Sequence, residues 1–202
     1  MKRVSSLLAA GMIFLAAPIL HATEYHVDTA AARQVKFISQ APLESFEGVT
    51  QRIDGYALIP SDSLAVGKGP DSSRFYFEVD LNALDTGIGL RNRHMRENYF
   101  ETEKYPFAQY TGSIGTVSRG SDTSLEVSIS GEMTIHGVKR PLEVMISTGA
   151  NGQRYHVRGQ FPVVLPDYLI KVPRLMFMKI SDTVQVQLDF YLLPVSGSKE
   201  GL

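Results

Sequence analysis

Apolar and polar residues alternate along most of this 202-residue chain. The clearest run lies near the carboxyl end, where Val184, Val186, Leu188 and Phe190 are each separated by one polar residue. Because successive side chains of a β-strand point to opposite faces, such a run predicts a strand with one buried face. The alternation recurs around four other apolar sets: Phe75, Phe77 and Val79; Leu125, Val127 and Ile129; Leu142, Val144 and Ile146; Tyr155, Val157 and Phe161. Runs of this kind, separated by clusters of Gly, Asn, Asp and Ser, indicate a single all-β domain, either an antiparallel sandwich or a barrel.

One segment departs from the alternation. Residues 88–100 contain three arginines and a histidine and show no period of two. Asp85 or Thr86 is suited to cap a short helix there, because both side chains can accept hydrogen bonds from free backbone amides. We therefore expect one short helical segment near residues 88–99.

The first 22 residues predict a cleaved signal peptide. Lys2 and Arg3 form a basic start, a mainly apolar stretch follows over residues 4–20, and Ala22 is a small residue suited to the position before the cut. The alternative, an N-terminal membrane anchor, would need a longer apolar segment to span a bilayer. We expect one exported domain over residues 23–202 that is not an integral membrane protein after cleavage.

The composition narrows the chemistry. The chain has no cysteine, which excludes a lipoprotein anchor, disulfides, thiolate metal sites and cysteine nucleophiles. Loss of the signal peptide removes Lys2 and Arg3 and leaves 18 basic and 21 acidic side chains, a formal charge of −3. That balance gives no global attraction for nucleic acid or for an anionic membrane surface.

Catalytic motifs are missing from the sequence. There is no Gly-x-Ser-x-Gly, His-Glu-x-x-His, phosphate-binding loop or Gly-x-Gly-x-x-Gly. The four histidines after the signal peptide, His26, His94, His136 and His156, do not lie at ligand spacing along one helix. The sequence therefore predicts no catalytic residue, no metal and no cofactor. An enzyme with a dispersed site would require His94 or His136 beside a carboxylate in a cleft.

Four short elements stand in a characteristic order along the chain. They are Asp85-Thr86-Gly87, a basic segment that ends in Asn98-Tyr99-Phe100, the pair Tyr105-Pro106, and residues 131–141 with the sequence Gly-Glu-Met-Thr-Ile-His-Gly-Val-Lys-Arg-Pro. Together they resemble the YceI-like family of exported bacterial proteins, in which a leucine usually stands at the position of Met133. The last element has the alternation and the glycine of a tight β-hairpin.

The resemblance implies a single lipocalin-like antiparallel barrel of about eight strands around an apolar tunnel. Family members hold long isoprenoid chains or related amphiphiles there. By resemblance, we expect a periplasmic protein that binds such a lipid, a quinone or a polyprenyl phosphate, for transport, storage or stress protection. The expected ligand-binding residues are Phe75, Phe77, Val79, Met176, Phe177, Met178, Val186, Leu188 and Phe190.

Arg91, Arg93 and His94 are candidates for contact with the lipid head group, because guanidinium groups match phosphate oxygens. The alternative is a solvated surface helix whose arginines pair with neighbouring glutamates. For His136 and Arg140, the sequence allows either a second polar group near a mouth or a turn that caps backbone groups.

A filled β-core would show the same alternation as a tunnel. The second functional hypothesis is therefore an envelope protein–protein interaction module with a filled core, whose contact surface is the apolar segment 162–178. A homodimer is compatible with both hypotheses.

Overall fold

The computed structural model describes residues 22–40, 45–59, 64–121, 123–151, 154–172, 174–175, 178–179 and 181–195. Residues 1–21 of the predicted signal peptide lie outside this part, and so do Met176 and Phe177.

The described part consists mainly of β-strands, with short helical turns between some of them. In chain order the strands are β1 (Thr23–Val27), β2 (Gln34–Gln40), β3 (Ser45–Thr50), β4 (Ile53–Ile59), β5 (Gly67–Lys68), β6 (Arg74–Asp80), β7 (Phe107–Arg119), β8 (Leu125–Ile135), β9 (Val138–Asn151), β10 (Arg154–Val164), β11 (Arg174–Leu175), β12 (Met178–Lys179) and β13 (Thr183–Pro194). The helical segments are a 3₁₀ turn (Leu81–Ala83), α1 (Gly89–His94), a π-helical turn (Met95–Tyr99) and a second 3₁₀ turn (Leu165–Tyr168).

Eight strand positions close into an antiparallel barrel. The order is β1, β4, β6, β7, β8, β9, β10 and β13, and β13 pairs again with β1. β13 pairs with β1 near its end and with β2 nearer its start, so β1 and β2 share one edge of β13. β3 pairs with β2, and these two strands extend the barrel wall on that side. Closure leaves few free strand edges, and eight strands enclose an interior about as wide as one slender ligand. The predicted barrel is confirmed, and the sandwich alternative is wrong.

The two rims of the barrel differ. β6, β8 and β10 end at one rim, where β7, β9 and β13 begin, because neighbouring strands run in opposite directions. We call this rim the helix end, since the connection from β6 to β7 carries α1 and the π-helical turn there. The helical segment predicted near residues 88–99 is confirmed, but the predicted cap is wrong, because α1 begins after Ile88 and neither Asp85 nor Thr86 caps its backbone amides. The opposite rim is the far end.

The hairpin predicted within residues 131–141 is also present. β8 ends at Ile135, which pairs with Val138 at the start of β9. The two turn residues, His136 and Gly137, have φ angles of 52° and 72°. Positive φ at both central residues is what a two-residue turn needs in order to match the twist of its flanking strands, and glycine adopts it without strain.

An apolar cavity inside the barrel

The barrel encloses a cavity of about 540 Å³. Strands on every side contribute apolar side chains to its wall, among them Val127, Ile129, Val157 and Phe161. Six of the predicted ligand-binding residues line it: Phe75, Phe77, Val79, Val186, Leu188 and Phe190. The interior is thus hollow rather than fully packed, which does not match the filled core of the second hypothesis.

The remaining three predicted ligand-binding residues are Met176, Phe177 and Met178, and none of them has a described side chain. Met176 and Phe177 lie outside the described residues. Met178 is in β12, which pairs with β11, and its side chain is not described. Their role as ligand-binding residues therefore stays a prediction.

Two tyrosine hydroxyls in the wall are engaged with the protein itself, whereas the buried hydroxyls of Ser39 and Thr148, which also line the cavity, have no hydrogen-bond partner among the described residues. The hydroxyl of Tyr110, a residue that is only 8% exposed, donates to the carbonyl oxygen of Leu142 at 2.9 Å. The hydroxyl of Tyr155 accepts a hydrogen bond from the backbone amide of Leu64 at 3.2 Å. A buried hydroxyl that has a partner does not oppose an apolar ligand. These tyrosines line the cavity without making it polar.

Burial raises the pKa of Tyr110 to about 12, and the charge of Glu143 acts in the same direction. In the unfolded chain a tyrosine titrates near 10. As the pH rises above that value, the unfolded state releases its proton before the folded state does, so unfolding becomes more favourable. This contribution to stability is complete below about pH 10 and is lost as the pH rises through about 12.

We therefore expect Tyr110→Phe to flatten the alkaline loss of stability, measured as the free energy of unfolding in urea at a series of pH values. Part of the loss should persist, because partial burial and the hydrogen bond with Glu78 also raise the pKa of Tyr76 to about 12. At neutral pH the variant should lose about 1 kcal/mol, the usual net value of one hydrogen bond. An alkaline slope identical to that of the unmodified protein would contradict the assignment.

The cavity reaches the surface beside α1. Of the described lining residues, those that are exposed all belong to this segment: Ile88, Leu90 and His94. The Arg91 side chain is half-buried there, with its guanidinium carbon 4.6 Å from the centre of the Phe46 ring. We call this opening, formed by Ile88, Leu90, Arg91, His94 and Phe46, the cavity mouth.

Two of the three predicted head-group residues lie at this mouth. Arg91 and His94 line the cavity, whereas Arg93 is exposed on α1 and does not line it. The spacing along the short helix explains the difference, since residues three apart share a face and a residue two apart does not. Within the described residues, no ion pair joins Arg91 or Arg93 to a carboxylate. The predicted alternative of arginine–glutamate pairing along this helix does not form there.

Asn92 attaches α1 to the chain segment before it. Its side-chain amide donates to Asp85 Oδ1 at 2.7 Å, and its Oδ1 accepts from the backbone amide and the hydroxyl of Thr86 at 2.9 and 2.7 Å. The hydrogen bond from Asn92, followed by that from the Gly87 amide, lowers the pKa of the Asp85 carboxyl. The backbone of Asp85 in turn exchanges two 2.9 Å hydrogen bonds with Val49 of β3. The Asp-Thr-Gly element thus holds the mouth helix against the barrel.

Asn92→Ala should loosen the mouth helix. The change removes the three hydrogen bonds that join α1 to Asp85 and Thr86, so it should lower the free energy of unfolding. We expect a lower unfolding midpoint and faster amide hydrogen exchange over residues 86–99. Asn98→Ala, an exposed asparagine in the same segment, is the matched control. Equal exchange rates in the two variants would show that the Asn92 contacts do not hold α1.

Sequence inspection did not single out Asn92 or Tyr110. Asn92 lies among arginines and is 8% exposed, so its burial was not visible in a basic segment. Tyr110 follows Tyr105-Pro106 in a run without clear alternation. The weak signal for Asn92 was its spacing of seven residues from Asp85, two helical turns in a segment that was expected to be helical.

His136 and Arg140 support the helix end rather than the cavity. His136 Nδ1 lies 3.2 Å from the carbonyl oxygen of Tyr168, and its ring packs edge-on against Tyr105 with centroids 4.7 Å apart. Arg140 Nε donates to the carbonyl oxygen of Asp167 at 2.9 Å. Neither residue lines the cavity. The interpretation as a turn that satisfies backbone groups is the one that the structure supports.

The described residues offer little support for a catalytic site or a metal site. His136 Nε2 is 3.4 Å from Glu101 Oε1 without the alignment of a hydrogen bond, and neither residue lines the cavity. Among the described residues, no group of three or more histidines and carboxylates is placed to hold a metal ion. No helix in the same residues is long and apolar enough to cross a membrane.

The closed eight-stranded barrel and its apolar interior define a lipocalin-like protein. Comparison with known families is more specific: residues 25–192 match the YceI-like domain, and the chain belongs to that family. The family resemblance seen in the sequence is confirmed.

Curated relatives agree with this assignment. Protein YceI of Escherichia coli O157:H7 is 27% identical over 111 residues, which cover 52% of this chain and 56% of the relative. The chain thus spans about half the length of that relative. A UPF0312 protein of Shewanella denitrificans is 24% identical over 153 residues, 74% of each chain.

Two solved structures have a similar fold. A polyisoprenoid binding domain from Saccharophagus degradans superposes with a TM-score of 0.65 and 22% identity, over 85% of this chain and 98% of that one. BcnA of Burkholderia cenocepacia has a TM-score of 0.63 and 18% identity, over 82% and 98%. At these identities the likeness establishes the shared fold.

Proposed function

We propose that this protein binds the apolar chain of an isoprenoid lipid, or of a similar amphiphile, inside the barrel. The observation that carries the proposal is the cavity of about 540 Å³ with its apolar wall and its single group of exposed lining residues beside α1, among the residues that the structure describes. Ligand sites usually have 300–1,000 Å³, mostly apolar walls and a few well-placed polar groups. The structural likeness to a polyisoprenoid binding domain supports the same ligand class.

The energetics favour a long apolar ligand. Each buried CH₂ group contributes roughly 0.8 kcal/mol, so ten such groups contribute about 8 kcal/mol. That value corresponds to a dissociation constant of about 1 μM, before the cost of ordering the chain. No specific polar contact along the tunnel is needed for useful affinity.

The polar head would remain at the cavity mouth. Arg91 carries a guanidinium group and, with His94, lines the opening. This arrangement suits a polyprenyl phosphate, whose oxygens a guanidinium group binds well, or a quinone, whose carbonyl oxygens accept hydrogen bonds. The tail would then lie along the inward rows of β6 and β13 that include Phe77 and Phe190, whose ring centroids are 5.4 Å apart.

In this proposal the protein is a periplasmic carrier or store for the lipid, or protects it under stress, and is not an enzyme. It needs no cofactor. Export rests on the predicted signal peptide, and the intact mass of protein isolated from the periplasm tests it. A chain that begins at Thr23 is the expected result, whereas a full-length chain in the cytoplasm would contradict it.

Organic extraction of protein purified from bacterial periplasm, followed by mass spectrometry, tests the ligand directly. We expect one class of isoprenoid lipid at a substantial fraction of one molecule per barrel. The control for lipid that adheres nonspecifically is an extract of an equal amount of the double variant Val157→Phe and Val186→Phe, in which the cavity is filled. Repeated recovery of no lipid, together with an experimental structure that shows a packed interior, would refute the proposal.

A further inference from the structure

Four large apolar residues are exposed at the helix end of the barrel: Ile88, Leu90, Leu169 and Phe107, the last of which is 39% exposed. Ile88 is 49% exposed, Leu90 is 59% exposed and Leu169 is 70% exposed. The first two lie at the cavity mouth, and the third follows the 3₁₀ turn after β10, on the same rim. Leu193 and Val195 are exposed at the far rim as well, so the helix end is distinguished by the fact that two of its exposed apolar residues border the opening of the cavity.

Leu169 is unusual in its backbone as well. Its φ angle is 57°, in the left-handed region that glycine adopts without strain and that a leucine rarely occupies. Its side chain is mostly in water, so packing within the barrel does not explain why a leucine is there. Contact with something outside the molecule would explain it.

Positive charge accompanies these side chains. Residues 86–96 contain three arginines and no carboxylate. Arg96 is held inside the fold by the carbonyl oxygens of Asn92 and Asn82, but Arg93 is exposed and has no ion pair among the described residues. The carboxylates that follow at this rim are Glu97, Glu101 and Glu103, and Glu101 lies beside His136. Asp85 and Asp167 are further exposed carboxylates at this rim, so the positive charge is confined to α1 itself, which carries Arg91 and Arg93.

We propose that the helix end docks on an anionic lipid bilayer, with Ile88, Leu90 and Leu169 in the interfacial region and with Arg91 and Arg93 on lipid head groups. Apolar side chains flanked by arginine are the combination that binds peripheral proteins to such surfaces. This inference rests on the proposed function, because lipid binding supplies the reason for docking. With the mouth against the membrane, an apolar chain would pass between bilayer and cavity without crossing water.

A bilayer suits this face better than a partner protein does. Protein interfaces concentrate their energy in a central, flat cluster with Trp, Tyr and Arg, protected from water by a rim. Here the exposed apolar residues are separate side chains, three aliphatic and one aromatic, on three different segments: α1 with the residue before it, the start of β7, and the turn after β10. Side chains of this kind enter the head-group region singly.

Co-sedimentation of the purified mature protein with vesicles tests the docking. One set of vesicles contains phosphatidylglycerol with phosphatidylethanolamine, and the other contains phosphatidylcholine alone. We expect binding to the anionic vesicles that weakens with added salt, because exposed charges are screened. The double variant Leu169→Gly and Arg93→Gln should bind about tenfold less, since each arginine near a lipid surface and each inserted leucine contributes measurably. Glycine fits the left-handed position, so this variant keeps the fold.

The matched control is Leu193→Ser with Arg119→Gln, one exposed leucine and one exposed arginine whose strands end at the far rim. It should bind like the unmodified protein. Equal loss in both double variants, no binding of the unmodified protein, or crosslinking of the helix end to an envelope protein in place of vesicles would overturn the docking. Neither Leu169 nor Arg93 lines the cavity, so lipid extraction from the same samples reports the proposed function separately.

Discussion

Replacing Gly131 by alanine is expected to abolish folding of the barrel. Gly131 in β8 lies directly opposite Gly112 in β7. A Cβ atom at position 131 would come within 1.9 Å of the Thr111 carbonyl oxygen and 2.7 Å of the Gly112 Cα. These are backbone atoms of a paired strand, which cannot move aside without breaking the pairing. We expect a loss of more than about 4 kcal/mol, the range of severe single-residue effects.

Gly149→Ala provides the comparison for this prediction. Gly149 lies in β9, and nothing stands within 4 Å of the position that its Cβ would occupy. Alanine there should change stability by no more than about 0.5 kcal/mol, as is usual for surface substitutions. Urea unfolding followed by far-ultraviolet circular dichroism distinguishes the two. Equal midpoints for Gly131→Ala and Gly149→Ala would contradict the close approach of β7 and β8.

The expected result gives the element 131–141 a structural meaning. Its first glycine permits the contact between β7 and β8, and its second, Gly137, permits the turn to β9. Arg140 and His136 attach this hairpin to the 3₁₀ turn after β10. The element that most clearly marks the family therefore builds the barrel, and it contributes Met133 and Ile135 to a cavity wall that is otherwise formed by other residues.

Filling the cavity should remove the bound lipid and leave the barrel intact. Val157 and Val186 both line the cavity, on β10 and β13, at two different heights along the strands. In the double variant Val157→Phe and Val186→Phe, the added rings would occupy space in which the lipid chain is proposed to lie. We expect about tenfold less lipid per protein in the organic extract, with unchanged or slightly higher stability. Added apolar volume in a cavity commonly stabilises a protein by 0.5–2 kcal/mol.

Outward-facing neighbours on the same strands supply the control for the cavity-filled variant. Arg158→Phe and Gln187→Phe add the same rings to the outer surface, since successive strand residues point to opposite faces. This control should retain its lipid. Full lipid occupancy in the cavity-filled variant, at normal stability, would show that the lipid chain does not lie against the inner faces of β10 and β13.

Several parts of this fold could be predicted because they depend on neighbours in the chain. The alternation around Phe75 and around Phe190 assigned each row to one face, since a period of two is a local property of a strand. The hairpin at His136-Gly137 was visible from a glycine after an alternating run. The short helix near residue 90 was visible because the alternation stopped there, although neither Asp85 nor Thr86 caps it.

The candidate site was less accessible to prediction. Arg91 and Arg93 look equivalent in the sequence, yet only Arg91 lies at the cavity mouth, because the rotation of α1 is set by Asn92 and Asp85. The hydrogen bonds of Tyr110 reach backbone groups on β8 and β9. Such contacts depend on the register between strands, which no single segment specifies.

The sequence by itself determined the strands, the face to which each apolar row belongs, the turn at residues 136–137 and the family. The tertiary structure decided that the apolar rows surround a cavity rather than a packed core, and that the cavity reaches the surface beside α1. The reason is that alternation encodes the direction of side chains within one strand. The space between opposite walls, in contrast, depends on closure of the whole barrel and on the pairing of strands far apart in the chain.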